Sequence, residues 1–69
     1  MQINGEFIKL DSFLKAVNAA ASGGEAKIMV TEGFVSVNGE VEFRRGRKLR
    51  PGDFVETGGR SYTVEQGEV

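Results

Sequence analysis

Cysteine is absent from the 69 residues of this chain. Neither a disulfide framework nor a thiolate zinc site can therefore supplement the hydrophobic core. A chain of this length is close to the smallest size at which one core suffices. We expect residues 1–69 to form a single small domain that packing alone holds together.

Histidine is absent as well, and the acidic residues are spread singly along the chain. Serine and thiol nucleophiles would lack their usual base, and no pair of carboxylates stands out for acid–base chemistry. Ser22-Gly23-Gly24 precedes a helix start, but the Gly-Lys-Ser/Thr of a P-loop does not follow it. We therefore predict that the protein is not an enzyme and uses no metal or cofactor.

Long apolar runs are also missing. The start of the chain has no basic flank followed by an apolar stretch, which argues against a signal peptide or a membrane anchor. The longest uncharged stretch, residues 16–24, is too short to span a bilayer. We expect a soluble, cytoplasmic protein without a membrane partner.

Positive charge is concentrated in one place, although the formal net charge is −1. Five of the nine cations lie in residues 44–50, which we call the basic segment: Arg44, Arg45, Arg47, Lys48 and Arg50. Local potential rather than net charge attracts phosphate, so this pattern indicates an anion-binding face. A solubilising loop is the alternative, but its cations would repel one another with only Glu40 and Glu42 nearby.

Two short helices are predicted in the first half of the chain. The first starts at Asp11, runs for about ten residues and is capped by Asp11 or Ser12. Its apolar positions at helical spacing are Phe13, Leu14, Val17, Ala20 and Ala21.

The second helix starts at Ser22, because Ser22-Gly23-Gly24-Glu25 has the pattern of a capping box. Its amino terminus, with Lys27 one turn in, offers a possible contact for a single backbone phosphate. Ala26, Met29 and Val30 form its apolar stripe, and Gly33 is expected to end it. The tight connection favours an angled helical pair.

Strands are predicted on either side of these helices. Ile3 and residues 7–10 suggest a short leading strand, broken by Asn4-Gly5. Asn38-Gly39 indicates a hairpin, because both residues tolerate positive φ. The alternating apolar positions around it, which we expect to share a face, are Val35, Val37, Val41 and Phe43.

Two further turns are predicted beyond the basic segment. Arg50-Pro51-Gly52-Asp53 is the first, and Gly58-Gly59 joins a last hairpin of strands 54–57 and 60–65, with Val55, Tyr62 and Val64 on one face. Phe43 and Leu49 are expected in the core, whereas Phe34 and Phe54 fall outside the alternation. The result is an α+β fold with two packed helices against a small, mainly antiparallel sheet.

The order of these motifs resembles the S-four RNA-binding domain, a family named after ribosomal small-subunit protein four. The resemblance covers about two thirds of the chain. It is carried by Lys9-Leu10-Asp11-x-x-Leu14, Ser22-x-x-Glu25-Ala26-Lys27 with Gly33, Val35-x-Val37-Asn38-Gly39, and Arg47-Lys48-Leu49-Arg50-Pro51-Gly52-Asp53-x-Val55. The length is similar to that of the free-standing, single-domain bacterial members.

The resemblance implies the fold known in this family as the alpha-L motif, and an RNA surface built from the helix pair and the basic turn. The residues implied on the helix side are Lys9, Lys15 and Lys27, and those on the loop side are Arg44, Arg45, Arg47, Lys48 and Arg50. Many family members have arginine at the positions of Lys9 and Gly23, so the helix side is less basic here. The implied partner is structured RNA, ribosomal or transfer RNA, bound by a monomer, with possible association with a ribosome or ribonucleoprotein.

Two other functions remain open from the sequence. The opening Met-Gln-Ile-x-Gly-Glu and the length are similar to those of ubiquitin-like sulfur carriers, although such carriers end in Gly-Gly and this chain ends in Gly67-Glu68-Val69. The basic segment would also suit a protein-interaction module that docks an acidic partner.

Overall fold

A computed structural model describes residues 2–3 and 7–66 of the chain, in which two consecutive helices pack against small β-sheets. The predicted break at Asn4-Gly5 and the residues 67–69 lie outside the described residues. In chain order, the elements are β1 Gln2–Ile3, β2 Ile8–Lys9, α1 Leu10–Ala16, α2 Gly23–Thr31, β3 Ser36–Val37, β4 Glu40–Val41, β5 Lys48–Leu49, β6 Phe54–Thr57, β7 Arg60–Thr63 and β8 Glu65–Gln66.

The largest sheet has four antiparallel strands in the order β4-β3-β6-β7. Strands β2 and β5 form a separate antiparallel pair, and β1 and β8 form a parallel pair. The predicted α+β class and the mainly antiparallel pairing are therefore confirmed.

The first helix begins at Leu10, one residue earlier than predicted, so that Lys9 rather than Asp11 or Ser12 occupies the capping position. The residue at the capping position makes no side-chain hydrogen bond. The amides of Leu10 and Asp11 instead donate to the backbone carbonyls of Arg47 and Arg45, at 2.9 and 3.0 Å. The prediction is therefore confirmed in part: the Asp11 carboxylate accepts the first-turn amide of Ser12 at 2.8 Å, whereas backbone carbonyls from a distant part of the chain satisfy the amides of Leu10 and Asp11.

The same helix ends at Ala16, earlier than predicted. Asn18 adopts a φ of 61°, in the left-handed region. The amides of Asn18 and Ala19 donate to the carbonyls of Lys15 and Leu14, which is the bond pattern of a Schellman motif. The last two alanines of the predicted apolar stripe therefore lie in the connection between the helices.

The second helix begins as predicted. The hydroxyl of Ser22 accepts the amide of Glu25 at 3.2 Å. The Glu25 carboxylate reaches back one residue further than a standard capping box requires, and accepts the amide of Ala21 at 3.3 Å. Gly33 follows the helix with a φ of 83°, which confirms its predicted role in ending it.

The core consists of apolar residues from the helices and their connection, from the four-stranded sheet and its flanks, and from β5. The ring of Phe13 meets the ring of Tyr62 edge-on, with 6.4 Å between the centroids. The core residues, all at most 4% exposed, are Leu10, Phe13, Leu14, Ala20, Ala26, Val30, Val35, Val37, Leu49, Val55 and Val64.

The first hairpin has its predicted turn, but one of its strands presents the opposite face to the core. The amide of Glu42 donates to the carbonyl of Val35 at 3.0 Å, so these two residues lie opposite each other and share the core face. Val41 and Phe43 consequently lie on the outer face, 50% and 60% exposed. The prediction that they share the face of Val35 and Val37 is wrong, because a two-residue turn fixes the register.

Of the two residues in or next to the basic segment that are expected in the core, only one is buried there. Leu49 is fully buried, whereas Phe34 and Phe54 are exposed. The Phe43 ring, expected in the core, covers Gly33 instead, and a Cβ on that glycine would lie 3.3 Å from the ring.

A side-chain network joins the turn at Asn38-Gly39 to the turn that follows the basic segment. Asn38 and Gly39 have φ values of 52° and 86°, which confirms the predicted hairpin turn. The Asn38 side chain donates to the Asp53 carboxylate at 3.0 Å and accepts the Phe54 amide at 3.0 Å. The other oxygen of Asp53 accepts the Arg50 amide at 2.9 Å. The first hairpin therefore holds the end of the basic segment in place.

The two later turns also form as predicted. The Asp53 amide donates to the Arg50 carbonyl at 3.0 Å, with Gly52 at a φ of 99°. Gly58 and Gly59 close the last hairpin, although its second strand, β7, is two residues shorter than predicted. Residues after it pair in parallel with β1.

We expect Gly39→Ala to destabilise the domain by about 1–2 kcal/mol, because an L side chain is strained at positive φ. A Cβ at this position meets no atom within 4 Å, so the cost comes from the backbone alone. Gly46→Ala is the matched control, since Gly46 is equally open but has no φ in the left-handed region. Urea unfolding of both variants measures the difference, and equal stabilities would contradict the assignment of strain to this turn.

Candidate nucleic-acid interface

The basic segment is attached along its length to the amino terminus of α1. The amides of Leu10 and Asp11 bind the carbonyls of Arg47 and Arg45, as described above. Next to these bonds, β2 and β5 pair so that Ile8 lies opposite Leu49. The backbone of the segment is therefore oriented towards the helix, which leaves most of its charged side chains exposed.

This pairing places two lysines directly opposite each other. Lys9, from the strand before α1, is the cross-strand partner of Lys48 in the basic segment. Like charges opposite each other destabilise a sheet, so their placement favours a role in binding an anion. The Lys48 ammonium also lies 4.9 Å from the centre of the Phe7 ring, a cation–π contact that limits where it can move.

A buried carboxylate lies at the start of the segment. Glu42 is 8% exposed, and its two oxygens accept hydrogen bonds from Arg44 and Arg47. The nearest guanidinium contact is 3.0 Å, from Arg47. The side chains of Arg44 and Arg47 remain 76% and 31% exposed, so both still face solvent.

The arginines hold Glu42 in its charged form. Hydrogen bonds from the Arg44 side chain make the largest contribution, and those from the Arg47 side chain and the Arg44 amide add to it. Together they outweigh burial and lower the pKa of Glu42 from 4.5 to about 2. Glu42 in turn raises the pKa of Arg44.

An open concavity of about 490 Å³ lies over the segment. Four of its five lining residues are cationic: Arg44, Arg47, Lys48 and Arg50, with Gly46 as the fifth. A concave surface lined by charges of one sign focuses its potential and attracts counter-charged ligands. The arrangement is suited to phosphate groups, for which guanidinium groups are forked donors and ammonium groups are point charges.

The structure brings most of the predicted contact residues together, but not all of them. Lys9 joins the five cations of the basic segment through the β2–β5 pairing. Lys15 lies in the last turn of α1 and Lys27 lies in α2, and both are exposed. No hydrogen bond or ion pair joins either lysine to the basic segment in the described part of the chain, so their role stays a prediction.

Two features of the interface are not predicted from the sequence. The first is the pairing of Glu42, which the sequence analysis treats only as a negative charge near the basic segment. Its spacing of two and five residues from Arg44 and Arg47 is the signal in the sequence that could have indicated this pairing. The bond between Asn38 and Asp53 spans 15 residues, and no local pattern indicates it.

Other kinds of site find no support within the residues that the structure describes. They contain no group of three or more histidine, cysteine, aspartate or glutamate residues that could hold a metal ion. None of the described helices has the length and apolar character needed to cross a membrane.

Comparison with known proteins gives similarities of three kinds: to a family model, to a bacterial protein and to a solved structure. A family model described as "S4 domain" matches residues 1–65. The chain is 48% identical over 59 residues to the probable ribosome maturation protein RlbA of Bacillus subtilis (strain 168), an alignment that covers 86% of this chain and 83% of that protein. The crystal structure of the 30S ribosomal protein S4e from Thermoplasma acidophilum is similar with a TM-score of 0.61 and 22% identity, over 84% of this chain and 30% of that one. This last similarity concerns the fold alone.

We expect Glu42→Gln to lower the free energy of unfolding at neutral pH by about 1–2 kcal/mol. This value is near the lower end of the range for hydrogen bonds to charged groups, because Arg44 is exposed and solvent screens its interaction with Glu42. The pKa of Glu42 is lower in the folded chain than in the unfolded chain. The charged carboxylate therefore contributes its full stabilisation above a pH of about 4.5, and this stabilisation is lost as the pH falls towards about 2. The difference from wild type should therefore narrow across this range.

Urea unfolding curves at several pH values measure this narrowing. Glu40→Gln is the control, because Glu40 is exposed and makes no described side-chain hydrogen bond. A difference between wild type and Glu42→Gln that stays constant from neutral pH to about pH 2 would contradict the linkage.

Proposed function

Because the chain belongs to the S4 domain family, we propose that it is a non-catalytic protein that binds structured RNA through its basic segment and the start of α1. The observation that carries this proposal is the cationic concavity, whose backbone is fixed to the helix by the Leu10 and Asp11 amides. A surface of this kind recognises RNA by shape and by the positions of its phosphates.

We propose ribosomal RNA as the target class. The support is the 48% identity to a protein whose name assigns it to ribosome maturation, over most of both chains. Transfer RNA is the second candidate, since phosphate contacts alone carry no sequence information. We also propose that the protein acts in the cytoplasm as a monomer, because one chain already provides a continuous cationic surface.

The two other functions have less support. The family match over residues 1–65 and the consecutive helices do not favour a ubiquitin-like sulfur carrier. An acidic protein partner would use the same basic surface, so the distinction needs an experiment. RNA contacts release condensed counterions and give a steep, linear dependence of log affinity on log salt.

We expect replacement of Arg45 and Arg50 by glutamine to weaken binding to purified ribosomal RNA. The salt slope should fall by about 0.7–0.9 for each phosphate that the variant no longer neutralises. Both side chains are exposed, and neither belongs to a described ion pair, so stability should hardly change. Filter-binding titrations at several salt concentrations measure affinity and slope together.

Arg60→Gln is the matched control, since Arg60 is an exposed arginine at the last hairpin, outside the concavity. It should leave the slope almost unchanged. Equal effects of the Arg60 variant and the paired Arg45 and Arg50 variant would exclude the basic segment as the specific site. A wild-type protein that binds no ribosomal RNA would refute the proposed target.

We expect Gly23→Arg to tighten RNA binding if the start of α2 belongs to the interface, because it adds a cation where open space is available. Gly23→Ala separates the effect of the added charge from the effect of higher helix propensity, because it raises helix propensity similarly without adding charge. Titrations of both variants measure the contribution of the new charge. Equal affinities would place the start of α2, and with it Lys27, outside the RNA surface.

A further inference from the structure

Glu42 occupies an electrostatically unfavourable position for an RNA-binding surface. A carboxylate near the phosphate backbone repels it, and removal of that charge should by itself tighten binding. None of the ten acidic residues lies within residues 44–50, yet Glu42 is buried two residues before Arg44. Its presence therefore needs a compensating role.

The contacts of Glu42 engage the two arginines in different ways. One oxygen accepts the Arg44 amide at 3.1 Å and the Arg44 Nε at 3.3 Å. The other accepts Arg44 Nη2 at 3.3 Å and Arg47 Nη1 at 3.0 Å. The backbone and side chain of Arg44 are thus held by the same carboxylate that holds Arg47.

Both guanidinium groups keep unused donors. A guanidinium has five N–H groups, and Glu42 engages only some of them on each arginine. Both arginines also line the concavity. The bonds to Glu42 therefore limit the motion of the side chains without removing them from the surface.

We propose that Glu42 is a positioning residue, which holds Arg44 and Arg47 as a preformed pair for RNA phosphate. This inference rests on the proposed function. A free arginine loses much rotamer freedom when it binds, and a side chain that is already ordered avoids that loss. The proposal requires that the gain from order at two arginines exceed the repulsion from one carboxylate, which is itself only 8% exposed.

The decisive variant is Glu42→Gln, because the two effects of Glu42 predict opposite results. If Glu42 mainly repels RNA, its replacement tightens binding to ribosomal RNA. If it positions the arginines, binding weakens by about tenfold despite the loss of a negative charge. Glu40→Gln is the control: it removes an exposed carboxylate two residues away and should leave affinity unchanged or slightly tighter.

A double-mutant cycle separates positioning from a general loss of structure. In a variant with Arg44 and Arg47 both replaced by glutamine, Glu42→Gln should no longer weaken RNA binding. A merely structural role would weaken binding by a similar factor in both backgrounds. Circular dichroism confirms that each variant is folded at the titration temperature, and affinities are expressed per folded protein.

Nitrogen-15 NMR of the free protein gives a readout that does not depend on RNA. The Arg44 Nε–H group should be protected from solvent exchange in the wild type and lose this protection in Glu42→Gln. An unprotected Arg44 Nε–H in the wild type would overturn the proposal.

The outcomes also distinguish this proposal from the proposed function. Tighter RNA binding by Glu42→Gln, or equal weakening in both backgrounds, overturns the positioning role and leaves RNA binding intact. A wild-type protein without salt-dependent binding to ribosomal RNA overturns both.

Discussion

The structure depends on two backbone hydrogen bonds at the amino terminus of α1. A helix leaves its first amides without partners inside the helix, and these are usually satisfied by a capping side chain or by water. Here the amides of Leu10 and Asp11 bind carbonyls of the basic segment, Arg47 and Arg45. The same bonds complete the helix and place five cations beside it. The basic segment and α1 therefore depend on the same bonds, and a change to the backbone of the segment also affects the start of α1.

Two further contacts fix the ends of the segment. Glu42 holds its first residue, Arg44, and the Asp53 carboxylate accepts the amide of its last residue, Arg50. Asp53 is itself bound by Asn38, which connects this end to the first hairpin. Burial of Asp53 opposes its charge, but the bonds from Arg50 and Asn38 outweigh it and lower its pKa. Both anchoring carboxylates therefore stay charged, and each opposes the repulsion among the neighbouring cations.

The sequence predicts the parts of the fold that local chemistry determines. Ser22 caps α2, and Asn38-Gly39 and Gly58-Gly59 form hairpin turns, because each motif satisfies its own backbone groups. The family expected from the motifs is confirmed. The concentration of charge in residues 44–50 predicts an anion-binding face, and the structure places four of these five cations around one concavity.

The errors fall where distant residues decide the outcome. Helix α1 starts one residue before the predicted Asp11, because the basic segment supplies carbonyls to its first amides and sequence alone cannot show this. The apolar character of Phe43 predicts a place in the core, whereas the register of the hairpin places it outside and Glu42 inside. Glutamate is rarely buried unless it is paired with another group. The partners of Glu42 are Arg44 and Arg47, and the sequence pattern indicates these two arginines only as ligands for phosphate.

The central claim is that RNA contacts the cationic surface next to α1, and NMR titration with a short structured fragment of ribosomal RNA tests it most directly. The account predicts that amide shifts change most in residues 44–50 and around Lys9. Smaller changes are expected in the hairpin that supports the segment. Changes concentrated instead on the outer face of the sheet, around Phe34 and Val41, with the basic segment unaffected, would contradict it.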